Sequence, residues 1–217
     1  MARLNFGLAK QRVVVDRYCQ LQDTACMKVI PDTVLSEHQK KQNLISIQRE
    51  DIDENELHGF ILDFNKEWLL MVKEYDFIFD GFMMVKREFV SAIKHGNTQK
   101  FHKRLFQIEG KMVEVDFGKT IPEARDGESS ITQFVRSLAA DKVVMLEDER
   151  DDFFLIGFIE ESDTDSCIGL RFFDGEGQLE EEVSDISHDE LTILTFDSSY
   201  CLHYERYFRR MNKNQQG

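Results

Sequence analysis

The second half of this chain repeats the pattern of its first half, and that constrains what it can fold into more than any other feature. The segment LISIQREDIDENELHGFILDFNKEWLLMVKEYD (44–76) lines up with VVMLEDERDDFFLIGFIEESDTDSCIGLRFFD (143–174). Gly59-Phe60-Ile61 matches Gly157-Phe158-Ile159, and an aspartate, Asp76 or Asp174, stands seventeen residues beyond each glycine. Three extra residues then enter the second copy, after which Val90, Ile93, Phe101 and His102 face Leu191, Leu194, Leu202 and His203. Self-similarity on this scale means that one supersecondary unit is used twice, so a reading of one copy must also serve the other.

Each copy reads as five short strands followed by a helix. Apolar runs open the copies at Leu44 and Val143, charged turns follow (EDIDEN, EDERDD), and a second strand crosses the glycine (LHGFILDF, FFLIGFIEE). A glycine inside a strand marks a bend or a close backbone approach, which lets a short sheet curl. Third strands (WLLMVKEYD, CIGLRFFD), turns (FIFDG, GEGQ) and fourth strands (FMMVK, EEEVSDI) come next. A pinch at REF or HDE then precedes a fifth strand, VSAIKH or LTILTF. The closing helices are NTQKFHKRLFQ, with Asn97 or Thr98 as cap, and DSSYCLHYERYFRR, with Asp197 or Ser198 as cap.

Five strands with such a pinch suit a small closed barrel, which removes exposed sheet edges. The expected fold is therefore mainly β with short helices: two tandem five-stranded barrels joined by a helix-containing linker. The boundaries are an N-terminal extension (1–43), a first unit (44–108), a linking region (109–142) and a second unit (143–211). Within the linker, KMVEVDFG alternates like a strand, and ITQFVRSLAADK is an amphipathic helix with Ile131, Phe134, Val135 and Leu138 on one face. PDTVLSEHQKKQN is its weaker counterpart before the first unit, and RVVVDRYCQL adds a further strand.

A helix leading into five curled strands, with a glycine in the second and an acidic or amide residue near the turn to the third, resembles the Sm-like small barrels; the SH3-like barrels fit nearly as well. The resemblance to Sm-like proteins implies single-stranded RNA binding by an Asp and an Asn in the turn between strands two and three and by a later Arg-Gly or Lys-Gly element. The matching stretch here is Phe64-Asn65-Lys66-Glu67-Trp68-Leu69, with Asn65 at the Asp place and Leu69 replacing the Asn. Ile93-Lys94-His95-Gly96 is similar to the later element, whereas Leu194-Thr195-Phe196-Asp197 in the second copy has neither base nor glycine. Shared fold does not by itself carry function.

Charge separates the two copies. Of a net charge of -14, residues 143–208 hold nineteen Asp and Glu against three Lys and Arg, while residues 44–106 hold eleven against nine. So acidic a segment disfavours direct phosphate binding, which needs Lys and Arg at the backbone. It is either a solubilising face or a surface that meets a basic partner. The acidic candidates are Glu147, Asp148, Glu149, Asp151, Asp152, Glu180, Glu181 and Glu182. For nucleic acid the alternative candidates are Asn65, Lys94, Lys100, Phe101, His102, Lys103 and Arg104, where rings between cations could stack on bases.

Catalytic chemistry leaves no mark. No phosphate-cradling, dinucleotide, nucleophile-elbow or metalloprotease motif is present, so no catalytic residue, metal or cofactor is expected. His102 and His203 recur at equivalent places and read as partly buried helix residues; His58, His95 and His188 read as unpaired turn or strand residues. The acidic turns around Glu50, Asp51, Asp53 and Glu54 and around Glu147–Asp152 lack calcium-loop spacing and read as exposed hairpin charge. Trp68, the sole Trp, falls in an apolar strand and reads as core. Cys19, Cys26, Cys167 and Cys201 form no C-x-x-C pair and read as free thiols. With no apolar window long enough for a membrane span and no leader pattern, a cytoplasmic protein is expected. The leading functional expectation is a noncatalytic protein-binding chain whose acidic second unit meets a basic partner, with Sm-like RNA binding through the first unit as the alternative.

Overall fold

The computed structural model describes residues 29–50, 52–124, 128–139, 141–150, 153–162 and 164–215. The expected strand RVVVDRYCQL, Cys19, Cys26, Asp51, Asp151 and Asp152 lie outside them. Helix α1 (Asp32–Lys40) precedes strands β1 (Leu44–Arg49), β2 (Asp53–Phe64), β3 (Trp68–Tyr75), β4 (Ile78–Lys86) and β5 (Ala92–Lys94), and α2 (Asn97–Ile108) follows. The second half runs α3 (Ser130–Ser137), β6 (Val143–Asp148), β7 (Phe153–Glu160), β8 (Cys167–Phe172), β9 (Ser184–Ser187), β10 (Ile193–Phe196) and α4 (Ser199–Gln215). A single 3₁₀ turn, Arg87–Phe89 or His188–Glu190, forms each pinch before the fifth strand.

The two halves use the same pairings. Gly59 stands opposite Ile45, and Gly157 opposite Val144. A Cβ on Gly59 would lie 2.1 Å from the Val72 carbonyl oxygen, and one on Gly157 2.3 Å from that of Arg171, so both glycines serve close backbone approach. Ile93 faces Ile47 as Leu194 faces Leu146. At the start of the fifth strand, the Ser91 N–H and Oγ donate to the Gln48 carbonyl at 2.8 and 3.0 Å, and the Thr192 N–H and Oγ1 donate to that of Glu147 at 2.8 and 3.1 Å. The Glu50 N–H donates to Ser91 Oγ at 3.3 Å, and the Glu149 N–H to Thr192 Oγ1 at the same distance.

Closed barrels do not form. All ten strands make one open antiparallel sheet in the order β5-β1-β2-β3-β4-β10-β6-β7-β8-β9. A strand has two edges, and the outer edge of β4 is taken by β10 of the other half, with Ile193 opposite Val85 and Phe196 opposite Phe82. Each fifth strand is therefore joined to its own first strand but not to its own fourth. Hydrogen bonding along a strand's edge is indifferent to which half supplies the partner, so the hydrophobic pattern did not distinguish closure from this exchange.

Both faces of the central strands are buried, and period two sorts their side chains. Leu69 and Met71 of β3 join Leu35, Ile45, Ile47, Ile61, Met83, Val85 and Ile193 on one face. Trp68, Leu70 and Val72 join Met84, Val144, Leu146, Leu194 and Phe196 on the other, where Ile131, Phe134 and Val135 of α3 also pack. Trp68 is core, 1 % exposed. The halves thus share a core across the β4·β10 seam, where Phe82 and Phe196 stack with centroids 5.2 Å apart.

Two local expectations are corrected. KMVEVDFG forms a 3₁₀ turn (Lys111–Glu114) and a loop that pairs with no strand of the sheet: Val115 is buried, but Val113 is 90 % exposed. Helix α2 starts after Gly96 with no side-chain cap from Asn97 or Thr98; Gln99 Oε1 instead accepts from the Gly96 N–H at 2.9 Å. At α4 the expected Ser198 does cap, accepting from the Cys201 N–H at 3.2 Å.

Candidate interaction surface

The structure divides the acidic residues of the second half into two groups. Glu147 and Asp148 close β6 and Glu149 follows it; Asp148 is buried and the other two are partly buried, which corrects their reading as exposed hairpin charge. Asp148 is 3 % exposed and accepts from Arg150 Nε and Nη2 at 2.8 and 2.6 Å. The hydrogen bond from Arg150 holds the Asp148 carboxyl below the usual range. Glu149 takes both terminal nitrogens of Arg49, a hundred residues earlier; the Arg49 side chain is fully buried and that of Glu149 is 20 % exposed. Glu147 has no such partner: burial, then the neighbouring Glu149, pushes its carboxyl upward. Counter-charges from Arg49 and Arg150 make burial of this group tolerable.

Glu180, Glu181 and Glu182 form the second group and are solvent-exposed. They lie between the Phe173–Leu179 bridge and β9, a strand shorter than the expected EEEVSDI, and are followed by exposed Asp185. Among the described residues β9 pairs with β8 alone, so this negative turn leads into an open edge of the described sheet.

The alternative nucleic-acid residues do not form one face of uniform character. Asn65 sits in the β2–β3 turn as expected, but its side chain builds the fold: Oδ1 accepts from the Glu67 and Trp68 N–H groups at 2.9 and 2.8 Å, and Nδ2 donates to Ser130 at 2.8 Å. Lys94 is half-exposed and bonded to Glu56 at 2.5 Å. Lys103 donates to the Lys41 carbonyl at 2.7 Å, and His102 packs on Phe77 with centroids 4.3 Å apart, 3.5 Å from Glu74. Lys100, Phe101 and Arg104 are exposed on α2, Phe101 by 56 %.

Three histidines expected to be unpaired have partners. His58 shares a hydrogen bond with Ser46 at 2.8 Å, and His95 bonds the Leu44 carbonyl at 2.8 Å. His188 lies between Ser129 (3.3 Å) and Thr132 (3.1 Å), which are both on the linker and invisible to spacing along the chain. This group borders a cavity of about 420 Å³ at the seam, lined also by Lys66, Lys86 and Asp189. Ser129 Oγ, however, accepts the Thr132 N–H as the α3 cap, and both ring nitrogens of His188 meet hydroxyls rather than a carboxylate. Burial lowers the His188 pKa. That arrangement anchors the linker helix to the second half and lacks the orienting acid of a nucleophilic triad.

A second cavity, about 440 Å³, lies between the β2–β3 turn and Ile121–Ala124. Among the described residues no three His, Cys, Asp or Glu side chains converge as a metal site, and no helix is long and apolar enough to cross a membrane. Cys167 and Cys201 are free, and burial pushes the Cys201 thiol up to about 11. The chain matches no protein-family model, no curated protein and no solved structure.

Proposed function

We propose that this chain is a noncatalytic interaction protein whose acidic second half meets a protein with a basic surface. We further infer that its halves descend from duplication of one small unit of Sm-like or SH3-like type. The duplication reading is supported by the matching hydroxyl bonds of Ser91 and Thr192. The functional reading rests on one observation: of the acidic residues, Glu180, Glu181 and Glu182 are exposed and stand beside an open strand edge, whereas Asp148 and Glu149 are neutralised internally. Opposite potential at such a turn speeds encounter more than it deepens affinity.

The test is affinity isolation from the native cell, followed by kinetics with Glu180→Gln, Glu181→Gln and Glu182→Gln combined. Association with the recovered protein should slow about tenfold and lose most of its salt dependence. Unchanged association, or recovery of no protein, would defeat the reading. Exposed Phe101 between Lys100 and Arg104 favours a second reading, binding of single-stranded RNA by the first half. Recovery of RNA, with binding lost in Lys100→Glu combined with Arg104→Glu, would establish that one instead.

A further inference from the structure

The seam inside the molecule also describes a joint that the molecule leaves unused. β4 and β10 pair as the fourth strand of one half and the fifth strand of the other. The remaining fourth and fifth strands, β9 and β5, are the two ends of the sheet, each with one neighbour among the described residues. A fourth strand that accepts a fifth strand and a fifth strand that accepts a fourth are thus both present and both open. They are different surfaces, so a contact between copies that joins them is heterologous.

Register can be carried from the seam to the free ends. β5 lies on β1 as β10 lies on β6, with Ile93 and Leu194 equivalent. β9 lies on β8 as β4 lies on β3, and each runs directly into its 3₁₀ turn, so Ser187 is equivalent to Lys86. Within the seam Ile193 faces Val85, Leu194 faces Met84 and Thr195 faces Met83. The transposed pairs are Ala92 with Ile186, Ile93 with Asp185 and Lys94 with Ser184.

One backbone amide shows the difference between a filled and an unfilled joint. The Lys86 N–H donates across the seam to the Thr192 carbonyl at 3.0 Å. Its equivalent, the Ser187 N–H, has no strand to reach and is held by the Glu190 carboxylate at 3.3 Å. We propose that β9 of one copy pairs antiparallel with β5 of a second copy in the register of the internal seam, so that chains assemble head to tail. Repetition of that step gives a closed ring or a filament according to the rotation per copy. This inference goes beyond the acidic-surface reading, because it rests on strand edges and not on Glu180–Glu182.

Full-length chains carrying Cys19→Ser, Cys26→Ser and Cys167→Ser provide the background. Lys94→Cys is placed in one preparation and Ser184→Cys in another bearing a tag of different mass; the two are mixed and oxidised. Directly opposed strand residues have Cβ atoms close enough to bridge, so a mixed disulfide should exceed that of Lys94→Cys with Ser187→Cys by roughly tenfold. Sedimentation of the unmodified chain at about 100 μM, where even weak association registers, should give more than one copy. A monomer without the mixed disulfide overturns the proposal, as do equal yields from both pairs. A chain carrying both Lys94→Cys and Ser184→Cys that links only to itself also overturns it, because the sheet would then close on its own ends. Failure of the glutamine variants to alter partner binding leaves these outcomes untouched, which separates the two readings.

Discussion

Replacing Arg49 should show how strongly a single buried ion pair holds the two halves together. Its guanidinium is fully buried and grips the Glu149 carboxylate with both terminal nitrogens. Arg49→Met removes that grip and leaves Glu149 beside Glu147. Stranding a buried charge costs about 3–5 kcal/mol, and Glu149 keeps some solvent and a hydroxyl bond from Thr192 at 3.2 Å, so about 2–4 kcal/mol is expected. Glu149→Gln strands the guanidinium instead, leaving Asp53 at 3.7 Å as its ion-pair partner among the described residues, and should cost about 3–5 kcal/mol. The double variant has no stranded charge and should be less destabilised than the sum of the singles by about 2 kcal/mol. Urea unfolding followed by Trp68 fluorescence reads all four proteins, since that residue is the sole Trp and lies in the shared core. Single costs under about 1 kcal/mol, or additivity within about 0.5 kcal/mol, would refute the argument.

Gly59→Ala and Gly157→Ala should each cost about 1–3 kcal/mol, because the added Cβ meets a backbone carbonyl that can move only with its strand. Gly175→Ala, which meets nothing within 4 Å, should stay within about 0.5 kcal/mol; equal effects at all three sites in denaturation midpoints would show that close approach is not the cause. Stability should also depend on pH in two opposite ways. Glu147 holds its proton more tightly when folded, so its contribution rises as pH falls from neutrality through its raised pKa to the ordinary glutamate range. Asp148, whose pKa is lowered, contributes fully above the ordinary aspartate range and loses that contribution as pH falls through its folded value. Between pH 7 and the ordinary glutamate range the lowered pKa of His188 works against Glu147, so Glu147→Gln should make the melting temperature fall more steeply with falling pH there than in the unaltered chain, and should keep the further drop at lower pH; identical profiles would refute the assignment.

Much of the local structure was written in the chain. Alternation marked the strands, the glycines marked where backbones approach, and Ile131, Phe134 and Val135 marked the buried face of α3, because each depends on residues close in sequence or on a period of 2 or 3.6. The misreadings have a common origin. KMVEVDFG has the alternation of a strand, but alternation does not say which edge a segment will meet, and this one pairs with none. Asp148 and Glu149 look like solvated hairpin charge until Arg150 and, from a hundred residues away, Arg49 are brought to them. His188 met Ser129 and Thr132 only once the linker helix docked. The choice between two closed barrels and one open sheet belongs to the same class. Side-chain pattern decides which face of a strand is buried, and that much the sequence by itself determined. Which edge a strand offers to which partner is settled by backbone N–H and C=O groups that are alike in every residue but proline, so only tertiary packing, with Phe82 laid on Phe196 across the seam, decided that β4 would pair with β10.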